Sequence, residues 1–127
     1  MIQIRYIVND VDKAVEFYTL NLDFRLEQQF GPAVAILERD GVKLVVTGPN
    51  ASASLPLPDG SKPSPGGWNR FIIYVDDIES VVSKLKQNGV QFKNEIIEGR
   101  GGKQVLCLDP SENIVEIFET NQNVSHL

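Results

Sequence analysis

Apolar positions change period twice along the chain, in the same way each time. Val11, Ala14, Val15 and Tyr18 stand at i, i+3, i+4 and i+7, and so do Ile78, Val81, Val82 and Leu85. Each set gives one apolar stripe and one wet face, the pattern of an amphipathic helix. Asp10 and Asp77 precede these stretches, where a carboxylate accepts hydrogen bonds from the first unpaired amides and faces the positive end of the helix dipole. Asn88-Gly89 stops the second helix, because glycine takes the left-handed conformation without steric cost. After each helix the period falls to 2, which predicts strands near 24–29, 33–39 and 42–47, then near 91–98, 103–108 and 113–119. Asp40-Gly41 forms a two-residue hairpin turn, and Gly99 to Gly102 and Asp109 to Glu112 mark later turns.

The two halves are one pattern repeated. When the chain is slid over itself so that Asp10 falls on Asp77, Val8-Asn9-Asp10-Val11 lies over Val75-Asp76-Asp77-Ile78, and Ala14, Val15, Tyr18 and Asn21 lie over Val81, Val82, Leu85 and Asn88. The order is βαβββ, twice. Helices on one face of each sheet make an α+β fold, with two βαβββ modules in tandem forming a curled mixed sheet around a cleft. Residues 1–127 form a single domain in this reading: module one at 1–48, a linker or flap at 48–67, module two at 68–120 and a C-terminal tail at 121–127. The linker holds five of the seven prolines. Strand alternation sends Ile4, Tyr6 and Val8, and likewise Phe71, Ile73 and Val75, toward the helices. Gln3, Arg5 and Ile7 in module one, and Arg70, Ile72 and Tyr74 in module two, face the other way, toward the expected cleft.

Composition narrows the function. The chain has 127 residues, 42% of them apolar, which suits one domain with a real core and excludes larger architectures. Twelve Lys+Arg against 17 Asp+Glu give a net charge of −5 without a basic run, so nucleic acid is not an expected partner. One cysteine, Cys107, excludes an intrachain disulfide. The absence of a long apolar run speaks against a membrane span or a signal peptide, and the expected compartment is the cytoplasm.

Several runs resemble those of the vicinal oxygen chelate superfamily, which includes glyoxalase I, extradiol dioxygenases, methylmalonyl-CoA epimerase, fosfomycin resistance proteins and bleomycin resistance proteins. These are Val8 through Tyr18, then Asn21-Leu22-Asp23-Phe24, similar to the family's Leu-Gly-Phe, and Asp109-Pro110-Ser111-Glu112-Asn113-Ile114-Val115-Glu116, similar to its Asp-Pro-x-Gly-Asn-x-x-Glu. The resemblance implies the glyoxalase-like fold, a homodimer, and a divalent metal held by His or Glu on the first and last strands of each module. The corresponding positions here are Gln3, a residue near Val45, Arg70 and Glu116. An amide is a weak ligand, an alkyl side chain is none, and a guanidinium opposes a cation. Three of the four positions do not match, so no metal or other cofactor is expected. His126, the only histidine, stands next to the C-terminus.

Arg70 and Glu116 carry two readings. They form an ion pair that neutralises both charges and fixes strand register, or Arg70, with Gln3 and Arg5, holds a carboxylate or similar oxygen anion of a small ligand. Trp68 reads first as a packing anchor at the module junction, and otherwise, with Tyr74, as an aromatic wall of the cleft. Gln104 alternates with Leu106 and faces the cleft. Gly101-Gly102-Lys103-Gln104 precedes a strand and reads as a hairpin turn, not a phosphate loop. Cys107 on an apolar strand packs as a small hydrophobe. The leading reading is a metal-independent small-molecule-binding protein that sequesters a drug or metabolite. The alternative is a lyase or isomerase using Glu116 as base and Arg70 as oxyanion stabiliser.

Overall fold

The computed structural model describes residues 1–121; His126 and the rest of the tail lie outside them. Two sheets and two helices follow the repeated order. Module one runs β1 (Ile4–Ile7), α1 (Val11–Asn21), β2 (Arg25–Phe30), β3 (Val34–Arg39) and β4 (Val42–Thr47). Its sheet has the order β1-β4-β3-β2, with β1 parallel to β4 and the other pairs antiparallel. Module two runs β5 (Ile72–Tyr74), α2 (Ile78–Gln87), β6 (Gln91–Phe92), β7 (Ile97–Glu98), β8 (Gly102–Leu108) and β9 (Ile114–Thr120), in the order β5-β9-β8-β6 with β7 also on β8.

The helices start where the acidic caps stand. Asp10 accepts from the Lys13 amide at 3.0 Å and Asp77 from the Ser80 amide at 3.2 Å, an interaction worth about 1 kcal/mol at such positions. Tyr18, Val11 and Ala14 of α1 are buried on β3 and β4, whose Ala35, Leu37, Leu44 and Val46 point to the same side. Ile78, Val82 and Leu85 of α2 are buried with Ile73, Val105, Cys107, Val115 and Ile117 in module two. Asp40 and Gly41 both take positive φ, as a two-residue hairpin turn requires, and Gly89 does so after α2.

One expected strand is broken. Residues 91–98 form two short pieces, β6 and β7, because the Asn94 side chain enters the ladder. Its Oδ1 accepts the Leu106 amide at 2.9 Å, where a backbone carbonyl would otherwise sit, and the Lys93 amide donates to the Leu106 carbonyl at 2.8 Å. A side chain that imitates the backbone interrupts the strand while leaving its polar groups paired.

Both turns that resemble family motifs hold an acidic residue where the family pattern has glycine, and both keep the glycine conformation. Asp23 has φ 57° and Glu112 has φ 67°. The left-handed backbone is therefore demanded by the surrounding fold, against the steric preference of the side chain.

By internal contacts the chain divides into two compact units, Met1–Gly67 with Pro110–Asn113, and Trp68–Asp109 with the described residues from Ile114 on. The Pro-rich stretch belongs to the first. It is tied down by Ser54 Oγ donating to the Gly48 carbonyl at 2.8 Å, by a turn between Leu57 and Ser61, and by the Gly66 amide donating to Asn113 Oδ1 at 2.7 Å.

Candidate functional site

Residues directly opposite in a sheet share a face, so register assigns the face away from each helix. In module two it carries Ile72 and Tyr74 of β5, Glu116 and Phe118 of β9, and Gln104 and Leu106 of β8. In module one it carries Arg5 and Ile7 of β1, Val45 and Thr47 of β4, and Ile36 and Val34 of β3. Because Arg5 pairs with Val45 as Ile72 pairs with Glu116, Val45 is the module-one counterpart of Glu116.

Glu116 is the chemical centre of the second face. Its residue is 5% exposed, and Arg70 reaches it with Nε at 2.9 Å and Nη2 at 2.8 Å, both on Oε1. Arg70 Nη1 donates to the Trp68 carbonyl at 3.1 Å. A guanidinium has five N–H donors. Among the described residues three are used, leaving one on Nη1 and one on Nη2, and Oε2 of Glu116 accepts no hydrogen bond. The ion-pair reading of Arg70 and Glu116 therefore holds, and the pair still offers donors and an acceptor side by side.

Aromatic groups border this face. Tyr74 and Phe118 lie with ring centroids 5.5 Å apart. Trp68 departs from the packing-anchor expectation: it is 67% exposed, and its indole is covered by Lys93 Nζ, 5.0 Å from the ring centroid. The glycines before it, Gly66 and Gly67, both take positive φ and leave the indole outside the core. Gln104 is half-buried opposite Phe118. Phe118 and Lys93 went unnoticed in the sequence, although Phe118 stands two residues after Glu116 on the same strand and alternation alone places it on that face.

The remaining expected site residues lie in the first unit. Arg5 Nη1 donates to Thr47 Oγ1 at 3.0 Å, directly across β1 and β4. Gln3 is exposed, and its Nε2 lies 3.9 Å from Met1 Sδ.

A family-type metal does not suit these side chains. Gln3, Val45 and Arg70 offer no anionic or imidazole donor, and an oxygen of Glu116 is already held by a guanidinium. Asp77, Glu79 and Glu119 do bring carboxylate oxygens within 4.8 Å of one another, but each has work at the start of α2. Asp77 caps Ser80, Glu119 accepts the Ile78 amide at 2.9 Å, and Glu79 pairs with Lys103 at 2.8 Å. That last contact holds the Glu79 carboxyl below its ordinary value and the Lys103 ammonium above its own.

Two other sequence readings find their physical basis here. The Gly101-Gly102 turn exists because Gly102, at φ 146°, lies so close to β9 that a Cβ would sit 1.9 Å from the Glu119 carbonyl oxygen. Burial pushes the Cys107 thiol up to about 12, so it is protonated and unreactive at neutral pH.

Residues 1–117 match the Glyoxalase/Bleomycin resistance protein/Dioxygenase superfamily. The chain belongs to that superfamily. Solved structures of the same fold include a lactoylglutathione lyase from Agrobacterium tumefaciens (18% identity, TM-score 0.72, covering 94% of this chain and 92% of that one). A fosfomycin resistance protein from Listeria monocytogenes aligns at 14% identity and TM-score 0.72, covering 96% and 93%. A glyoxalase/bleomycin resistance protein/dioxygenase from Alicyclobacillus acidocaldarius aligns at 20% and 0.67, covering 97% and 92%. No curated protein matches the sequence. At these identities the superfamily member shares a fold with its neighbours, while its chemistry rests on its own residues.

Proposed function

We propose that this superfamily member is a metal-independent binder of a small molecule, acting by sequestration as a cytoplasmic homodimer. The observation that carries this reading is the Arg70–Glu116 pair, which puts a guanidinium where a family metal ligand would stand and leaves two N–H donors and one carboxylate oxygen uncommitted. Such an edge suits a ligand that carries an oxygen acceptor beside a hydroxyl or amide donor, with Trp68, Tyr74 and Phe118 supplying apolar contact. Binding then requires no Lewis acid.

Trp68 is the only tryptophan, so its fluorescence reports binding directly. A screen of small hydroxy-carbonyl compounds and drugs is expected to yield a saturable change that survives EDTA and is lost in Arg70→Met. A response abolished by EDTA overturns the reading. A lyase or isomerase is supported by one feature, the unoccupied Oε2 of Glu116, which can receive a proton while Arg70 stabilises an oxyanion. In that case Glu116→Gln abolishes turnover of a bound compound without unfolding the protein; a sequestering protein has no turnover to lose.

A further inference from the structure

The Pro-rich stretch frames a cavity of about 250 Å³ in the first unit, lined by Ile7, Val8 and Asn9 at the end of β1 and by Pro49, Ser54, Lys62, Pro63, Ser64 and Pro65. Its walls are preformed. Asn113, a buried side chain, joins them: Nδ2 donates to the Ile7 carbonyl at 2.8 Å while Oδ1 accepts the Gly66 amide at 2.7 Å. The Asn9 amide donates to Ser111 Oγ at 2.8 Å, which fixes the other side of the same strand end. Ser54, buried, anchors the near end of the stretch on Gly48.

Lys62 is the one basic residue among the described residues that line the cavity. Asp59, the nearest carboxylate along the chain, is spent on Ser61, accepting its hydroxyl at 2.6 Å and its amide at 3.0 Å. Those hydrogen bonds hold its carboxyl below the ordinary value. Among the described residues Lys62 has no carboxylate within salt-bridge distance. The residues that line the cavity thus combine the apolar surfaces of proline, isoleucine and valine with one basic residue, Lys62, and with Asn9, Ser54 and Ser64.

We propose that this cavity is a binding site for a small carboxylate with a short apolar body, its tail against the prolines and its anionic end at Lys62. The volume lies below the roughly 300–1,000 Å³ of pockets that take drug-sized ligands, which restricts the occupant to a compact molecule. This site shares no residue with the Arg70–Glu116 pair and does not depend on its function.

Butyrate and its neutral isostere butyramide, titrated into the full-length protein and followed residue by residue by amide NMR, test the proposal. Butyrate is expected to move the Ile7, Asn9, Ser54, Lys62 and Ser64 amides and to bind about tenfold more tightly than butyramide, a preference lost in Lys62→Met. Lys62 is exposed, so that substitution leaves the fold intact. Equal responses to the two compounds, or a titration that leaves those amides unmoved, overturns the proposal.

Discussion

The two modules share strand order, helix caps and helix-facing cores, yet their opposite faces differ at almost every position. Tyr6, Val46, Ala35, Leu44 and Leu37 in module one stand where Ile73, Ile117, Val105, Val115 and Cys107 stand in module two, all apolar and all buried. On the other face Gln3 stands against Arg70, Arg5 against Ile72, and Val45 against Glu116. Burial against the helix constrains one set by packing volume. The second set is released from that constraint, and there one module keeps a cation on a hydroxyl, Arg5 on Thr47, while the other builds an ion pair. A repeated backbone thus carries its polar chemistry on one side of each sheet, and only the second copy has placed a buried carboxylate there.

The largest test of that contrast is to break the pair. Arg70→Met leaves the Glu116 carboxylate buried without its partner and is expected to cost about 2–4 kcal/mol in urea unfolding. Adding Glu116→Leu should restore stability to within about 1 kcal/mol of the parent, since an apolar pair of similar size replaces both charges. A double variant as unstable as the single one would mean that Arg70 acts through packing and not through charge.

The converse experiment copies module two onto module one. Val45 is 6% exposed, so Val45→Glu alone buries an unpaired carboxylate and should cost about 2–3 kcal/mol. Gln3→Arg in the same chain should recover about half of that if the two faces are equivalent in geometry. No recovery would show that the modules differ in backbone placement as well as in side chains.

Core chemistry separates the modules by pH. Cys107 occupies the place that Leu37 fills in module one, and its thiol rises from 9.0 to about 12 in the folded protein. Below pH 9 both folded and unfolded states hold the proton and the thiol contributes nothing to the pH dependence. Between 9 and about 12 the unfolded chain releases it and the folded chain does not, so stability falls as pH rises, by about 1.4 kcal/mol per unit. Cys107→Ala should remove this component of the slope in unfolding curves collected from pH 8 to 11; an unchanged slope would contradict the assignment.

The smallest effects concern the two left-handed turns. Glu112→Gly should stabilise by about 0.5–1 kcal/mol, and Asp23→Gly by less, because aspartate tolerates that conformation better than glutamate. Thermal unfolding of the two variants ranks them directly, and equal shifts would indicate that side-chain contacts, not backbone strain, decide both.

Much of this was legible in the sequence because it rests on periodicity and short-range chemistry. The helix stripes, Asp10 and Asp77 as caps, the Asp40-Gly41 turn and the face assigned to each β1 and β5 residue all follow from local rules. The pairing of Arg70 with Glu116 was accessible because alternation turns Arg70 away from the helix and the family resemblance puts both residues at positions that share one ligand site. What escaped depends on distant partners. Asn94 breaks a strand through Leu106, Lys93 meets Trp68 across the module, and Asn113 clasps the Pro-rich stretch to β1; none of these leaves a mark in local pattern. The exposure of Trp68 escaped for the same reason, since a large aromatic beside glycines reads as core until its surroundings are known.

On the proposed reading, this superfamily member uses an organic ion pair where its fold suggests a metal. Calorimetric titration of the tag-free protein with Zn²⁺, Ni²⁺, Mn²⁺ and Fe²⁺, beside Glu116→Gln, tests it most directly. Neither protein is expected to bind any of the four ions stoichiometrically, and none of them should raise the melting temperature. Stoichiometric uptake by the parent that disappears in Glu116→Gln would contradict it.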